Sequence, residues 1–268
     1  MKQPKVSIII TCYNLGVFLD EAVTSILNYP DKDAIEIIII NDGSTEPSTI
    51  EAIGKIEADY PELIVVNQNN QGLGNARNNG IAMAKGVYII PLDADNKLRH
   101  EFIITAIKIL DEQQDIDIVH GNAEFFGEKT GIWKAAPFNI SEMVLNNYID
   151  ACACFRKSVW EELGGYDTQM PIMGFEDWDL WLRMGVHGCN FEYINTVFFD
   201  YRVREISMIT HAWENRQELI DYMFSKQELR YLLPLRNCLI ENKQLKEEPA
   251  FKEIFKIFKN KTRRRLKF

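Results

Sequence analysis

Val87-Tyr88-Ile89-Ile90-Pro91-Leu92-Asp93-Ala94-Asp95-Asn96 is an apolar run that stops at two carboxylates one residue apart. Such a run reads as a parallel strand buried on both faces. Side chains alternate along a strand, so Asp93 and Asp95 share a side if the extended geometry persists. Two hard carboxylate oxygens at the carboxyl edge of an open sheet suit Mg²⁺ or Mn²⁺ carrying substrate phosphates. Taken alone, the same residues also make a solvated turn, since Asp and Asn are common there. The flanking sequence decides between the two.

Upstream, Val6 to Thr11 (VSIIIT) and Ala34 to Ile40 (AIEIIII) repeat the pattern of a strand buried on both faces. Between them, Leu15, Phe18, Leu19, Ala22, Val23, Ile26 and Leu27 fall on one helical stripe. A second helix is expected after Ser44 or Thr45 as cap, with Pro47 in its first turn and Ile50, Ile53 and Ile56 facing inward. Leu63 to Val66 is a third strand, and a helix from Gly74 to Lys85 is closed by Gly86. Strands alternating with helices predict βαβ units and a mostly parallel sheet. Polar clusters then gather at one sheet edge: Tyr13-Asn14, Asn41-Asp42, Asn67 to Gly72, and Asp93 to Asn96.

The second half is less regular. Strands are expected at Ile116 to His120 and Ala151 to Phe155, and helices at Ser141 to Asn147, Lys157 to Leu163 and Glu176 to Met184. Gly185 or Gly188 closes the last of these, and His211 to Glu241 reads as helical with a break near Pro234. Neither GxGxxG after the first strand nor GxxxxGK[ST] occurs.

The chain has 268 residues, 46% of them hydrophobic, enough for one large α/β domain and an appendage. A formal net charge of −9 argues against a nucleic-acid-coating protein. Residues 251–268 carry eight Lys or Arg against Glu253, a net of +7, which leaves −16 elsewhere. Five scattered cysteines read as reduced thiols of a cytosolic protein, with Cys152 and Cys154 as core residues. The N-terminus lacks a signal-peptide apolar run, and no 18-residue apolar stretch occurs. A soluble, cytoplasmic protein is expected.

Thr11-Cys12-Tyr13-Asn14, Asn41-Asp42-Gly43-Ser44, Gly72-Leu73-Gly74-Asn75-Ala76-Arg77-Asn78 and Asp93-Ala94-Asp95 follow one another in order. Gly164-Gly165-Tyr166-Asp167, Glu176-Asp177-Trp178-Asp179 and Tyr201-Arg202-Val203-Arg204 with Ser207-Met208 continue the series. Over about residues 4 to 210 this ordered set resembles a family 2 glycosyltransferase of the GT-A fold. The resemblance implies a glycosyltransferase domain at 1–210, with a nucleotide-sugar half at 1–98 and an acceptor half at 99–210. A helical extension with a basic tail fills 211–268.

By the same resemblance, Thr11 and Tyr13 contact a uracil or thymine base, and Asp42 accepts its ring N–H. Gly72 and Arg77 belong to the nucleotide-sugar site, Arg77 near the base and diphosphate. Asp93 touches the ribose, and Asp95 holds Mn²⁺ or Mg²⁺. Asp177, with Glu176 second to it, is the general base of an inverting transfer. Arg204 belongs to a segment that closes over the diphosphate, His211 is a candidate metal ligand, and Trp178 an acceptor-site aromatic. The implied donor is a nucleoside-diphosphate sugar, UDP-linked ahead of dTDP- or GDP-linked. The implied acceptor is a glycan or lipid-linked oligosaccharide in bacterial surface polysaccharide synthesis.

Elementary chemistry agrees with these residue types. A hydroxyl is a poor nucleophile until a carboxylate takes its proton, and a departing diphosphate needs positive charge. At a helix start, the dipole is expected to keep Asp177 ionised. No Gln-x-x-Arg-Trp of processive relatives is present. Two rivals fit less well: a sugar nucleotidyltransferase, which needs a Gly-rich first loop that TCYNLG does not provide, and a non-catalytic sugar-binding module. In the tail, Phe251, Ile254, Phe255 and Phe258 alternate with lysines as in a membrane-surface helix, so a peripheral membrane contact is expected.

Overall fold

The computed structural model describes residues 3–205 and 207–247. Strands β1 (Val6–Cys12), β2 (Ile35–Asp42), β3 (Ile64–Gln68) and β4 (Tyr88–Asp93) alternate with helices α1 (Gly16–Leu27), α2 (Pro47–Asp59) and α3 (Leu73–Met83). The four strands run parallel in the order β3-β2-β1-β4. The isoleucine runs explain why this sheet is central. Ile8, Ile10, Ile37 and Ile39 pack into one apolar layer, while Ile9, Ile38 and Ile40 pack into the other. Branched side chains buried on both faces favour the extended chain and leave no solvent-facing side.

The remaining strands extend the sheet past β4. They are β5 (Lys97–Leu98), β6 (Ile118–Gly127), β7 (Gly131–Trp133), β8 (Cys154–Arg156) and β9 (Phe191–Val203). β8 lies antiparallel between β4 and β6, β9 runs parallel to β6, and β5 closes the edge antiparallel to β9. β7 pairs with β6 as a hairpin. The result is a mostly parallel nine-stranded sheet between helical layers. α1, α2 and α4 (His100–Glu112) cover one face. α3, the short α5 (Ile140–Met143) and α6 (Lys157–Glu162), and α7 (Glu176–His187) cover the other, burying Trp178 and Trp181.

α8 (Met208–Glu214), α9 (Arg216–Ser225) and α10 (Leu233–Glu247) follow. Leu219, Ile220, Met223 and Phe224 join the second core. Lys226 pairs with Asp167 and with the fully buried Asp179, which also holds Arg183 at 2.8 Å.

Several local expectations change. Ser44 and Thr45 do not cap α2. Asn14, in a left-handed conformation at φ +54°, accepts from the Thr45 and Glu46 N–H groups at 2.8 and 3.0 Å. Ile50 is exposed, and the buried face of α2 is Thr49, Ile53 and Ile56. Thr49 Oγ1 accepts from Gly16 N–H at 2.9 Å; a Cβ on Gly16 would lie 2.3 Å from the Thr49 Cα, so only glycine lets the two helices meet. Pro234 breaks nothing. The chain leaves α9 at Lys226, and Pro234 sits in the first turn of α10, where a missing N–H costs little. α3 ends at Met83, before Gly86, and α7 continues to His187 with left-handed Gly188 as its cap. All five cysteines are free, and Cys152 and Cys154 pack in one apolar core. Residues 251–268, with the amphipathic tail expected there, lie outside the described residues.

Candidate active site

The carboxyl ends of β1, β2 and β4 open into a cavity of about 620 Å³. On this side lie Thr11, Tyr13, Asp42, Gly72, Arg77, Asp93 and Asp95, gathered from four separate stretches of sequence. Asp42 is already bound by the loop it faces. Its Oδ1 accepts from Gln71 N–H and Gln68 Nε2 at 2.8 Å, and its Oδ2 from Gly72 N–H at 2.9 Å. A carboxylate offers about four acceptor positions, so one remains for a ligand donor. Gly72 starts α3 at φ +87°, a conformation open to glycine at little cost.

Arg77 lies deeper than expected. It is 2% exposed and joins two carboxylates, Asp93 Oδ1 at 2.8 Å and Glu176 Oε1 at 2.7 Å. Burial works against its charge, yet the two acids hold its pKa well above the usual arginine value. Its Nε, buried without a partner among the described residues, lies at the cavity floor.

β4 ends at Asp93, and the Asn96 N–H turns back to the Asp93 carbonyl at 3.0 Å. Strand alternation therefore stops before Asp95; the turn brings both carboxylates to the cavity instead. Asp95 Oδ2 pairs with Arg204 Nε at 2.8 Å. Burial, then the Asp93 charge, raise the Asp95 pKa, and Arg204 opposes them. Arg202 fixes the same turn, donating from Nε to the Asp95 carbonyl and from its N–H to Asn96 Oδ1.

The donor set suits a divalent cation only in part. Two hard carboxylates converge, and Asp93 Oδ2 accepts no hydrogen bond from a described residue. Among the described residues no cluster of three His, Cys, Asp or Glu could hold a metal. His211 is corrected: its side chain is 66% exposed, beside Glu214 at 3.6 Å, and does not line the cavity. The residues fit Mg²⁺ or Mn²⁺ that takes its other ligands from substrate phosphates and water.

Across the floor, the first turn of α7 supplies Glu176 and Asp177. Glu176 is committed to structure, since its second oxygen accepts from Gly174 N–H at 2.6 Å. Asp177 is held by Asn147 Nδ2 at 3.0 Å. The helix dipole does not dominate here: burial, then Glu176 and Asp150, push the Asp177 pKa well above the carboxylate range. Asp150 was not foreseen. It lines the cavity from the loop before β8, and burial with the Asp93 charge pushes it up to about 7.

The aromatic wall also differs from expectation. Trp178 is 1% exposed, its indole N–H given to the Met143 carbonyl at 2.7 Å, so it shapes the wall rather than offering a face. The open indole is Trp213, 47% exposed, with Phe175 edge-on and Arg216 5.1 Å from its ring. Trp133 and Tyr201 complete this wall, stacked edge-on at 5.7 Å. An Asp in an irregular loop and three aromatics with no shared period carried no sequence signal beyond their type.

Solved structures share this fold. S. aureus TarS 1–349 in complex with UDP-GlcNAc superposes with a TM-score of 0.67 at 15% identity, covering 92% of this chain and 74% of that one. The mannosyltransferase PcManGT from Pyrobaculum calidifontis, in complex with GDP-Man and Mn²⁺, gives 0.61 at 17% identity, covering 96% and 80%. The shared architecture is the GT-A fold. In sequence, the putative glycosyltransferase EpsH of Bacillus subtilis (strain 168) is 27% identical over 230 residues, 78% of this chain and 64% of that protein. The chondroitin synthase of Pasteurella multocida (strain Pm70) is 36% identical over 105 residues, 39% and 11% respectively. The chain thus spans less than two thirds of the length of either relative. The family model described as glycosyl transferase family 2 matches residues 7–166, well over half of the chain and all four parallel strands. The chain belongs to glycosyl transferase family 2.

Proposed function

We propose that the chain moves a sugar from a nucleoside-diphosphate sugar, UDP-linked by preference, to a hydroxyl of a glycan or lipid-linked oligosaccharide. The reaction is a single displacement with inversion. The observation that carries this reading is one guanidinium, Arg77, joining Asp93 on the donor side to Glu176 beside Asp177. It ties the acids at the end of β4 to those of α7, and all of them line the same cavity.

Thr11, Tyr13 and the remaining acceptor position of Asp42 receive the base. Asp93 and Asp95 hold Mn²⁺ or Mg²⁺, which when bound neutralises charge on the departing diphosphate. Arg204 lies at the rim to share that role. The acceptor oxygen attacks the anomeric carbon, the bond to the diphosphate breaks, and Asp177 takes the hydroxyl proton. Asp177 suits the task because its raised pKa makes it a stronger base than an exposed carboxylate. Residues 1–210 are read as the catalytic unit and 211–268 as an extension whose tail meets an anionic membrane at the inner face. No described helix is long and apolar enough to cross one.

The test is thermal unfolding with UDP, dTDP, GDP and CMP, each with Mn²⁺ and with EDTA. A nucleotide at about 100 times its dissociation constant stabilises by about 2.7 kcal/mol. UDP stabilisation that needs Mn²⁺ and disappears in Asp95→Ala is expected; a flat response to all four overturns the reading.

A further inference from the structure

Six carboxylates line the cavity, and their partners sort them. Asp93 and Glu176 share Arg77, and Asp95 has Arg204. Asp42 already takes three N–H donors from the loop it faces. Asp150 and Asp177 have no cationic partner among the described residues. Asp150 Oδ1 accepts from Cys152 N–H at 2.9 Å, while Asp177 accepts from Asn147 on Oδ2 and from Trp178 N–H on Oδ1 at 2.7 Å. Asp150 Oδ2 accepts nothing from a described residue.

The loop that carries Asp150 is built to hold it there. Asn147 spans it, donating to Asp177 and accepting from Ile149 N–H at 3.2 Å. The Ile149 carbonyl takes the Trp181 indole N–H at 3.1 Å, tying the loop to the core of α7. The arginines that reach the cavity are spent elsewhere. Arg77 is divided between two acids, and Arg202 pairs with Glu21 at 3.0 Å with its guanidinium 4.4 Å from the Phe18 ring. Arg204 stands on the donor side at Asp95. Arg216, 5.1 Å from the Trp213 ring, gives an N–H to the Leu145 carbonyl and has no carboxylate partner among the described residues. The open face of Trp213 and the edge of Trp133 give this side a surface for the apolar face of a sugar ring.

We propose that Asp150 is an acceptor-recognition residue: with Asp177 it takes neighbouring hydroxyl or amino groups of an acceptor sugar stacked against Trp213. The proposal rests on the glycosyl-transfer reading above. Asp150 therefore sets which sugar is extended, while Asp177 performs the proton transfer.

The experiment measures nucleoside diphosphate release from UDP-glucose, UDP-galactose and UDP-N-acetylglucosamine with Mn²⁺. The acceptor probes are the methyl glycosides of glucose, galactose, N-acetylglucosamine, glucosamine and glucuronic acid. Wild type should be accelerated by one or more of these glycosides. Asp150→Asn, which keeps the oxygen that caps Cys152, should raise the acceptor KM at least tenfold with the donor KM unchanged. Trp213→Ala should raise the acceptor KM alone, which gives a second variant if Asp150→Asn folds poorly. An unchanged acceptor KM in Asp150→Asn, or donor turnover that no probe accelerates, overturns the proposal. No release by wild type from any donor, with or without probe, overturns the parent reading and this one with it.

Discussion

Arg204 and Asp95 meet at 2.8 Å, so a guanidinium holds the carboxylate on which a divalent cation would depend. The two cations compete for one group. Arg204→Ala is expected to bind Mn²⁺ alone more tightly and UDP with Mn²⁺ about tenfold more weakly, about 1.4 kcal/mol. Calorimetry with Mn²⁺, and with UDP plus Mn²⁺, checks both signs; a variant that weakens neither or weakens both would refute the competition.

Asp177→Asn keeps the hydrogen-bonding shape of the side chain and removes its proton-accepting power. Turnover is expected to fall by about 10²- to 10⁴-fold while UDP affinity is retained. Because burial and neighbouring acids raise the Asp177 pKa, the wild-type rate should decline on the acid side at a pH above the ordinary carboxylate range. A pH–rate profile with its acid limb near 4 would contradict this assignment.

Arg77 is buried with two acids, and removing it leaves both without their counter-ion. Breaking such a pair costs about 3–5 kcal/mol. Arg77→Leu should lower the urea midpoint by an amount of that size without changing the slope. Arg77→Leu combined with Glu176→Leu should recover part of the loss.

His120 sits in β6 with both ring nitrogens buried and unpartnered among the described residues, 5.5 Å from the Tyr193 ring. Burial lowers its pKa to about 4 from 6.5. The unfolded chain therefore takes the proton first as pH falls, so this residue's contribution is complete above about 6.5 and is lost toward 4. The full effect is about 3 kcal/mol. Asp150 and Asp177 act in the opposite sense, since their raised folded pKa values favour the folded state at low pH. The difference between wild type and His120→Leu isolates the histidine. The variant should gain relative stability between pH 6.5 and 4 in denaturant titrations, and parallel curves would exclude the effect.

Residues 251–268 carry the excess basic charge. Each Lys or Arg near an anionic leaflet contributes about 1 kcal/mol. Deleting the segment should reduce sedimentation with anionic liposomes, leave sedimentation with neutral ones low, and preserve nucleotide binding. Unchanged sedimentation would remove the membrane from the reading.

The parallel strands were legible because burial on both faces writes itself as uninterrupted isoleucine, in Ile8 to Ile10 and Ile37 to Ile40. β9 was not, because its residues are mostly half-buried and its register to β6 shifts around Asn122. Apolar periodicity fades where a strand is neither exposed nor enclosed. The strand-end acids were found by position, since every parallel strand delivers its end to the same edge. The depth of Arg77 was not legible, because Asn75, Asn78 and Asn79 around it look like a solvated helix, whereas its burial depends on Glu176, 99 residues away. His211 lay close in sequence to Arg204, but the start of α8 carries it into solvent.

The double attachment of Arg77 also sets the mechanics of the cleft. Parting the strand-end wall from α7 would strand a buried guanidinium or two acids, so the floor behaves as a weld. Motion that admits and releases substrates is left to the rim, where Arg204, Ser207 and Trp213 stand on short connections between β9 and α9. Such a cleft opens like a purse, by its drawstring, rather than like a pair of jaws.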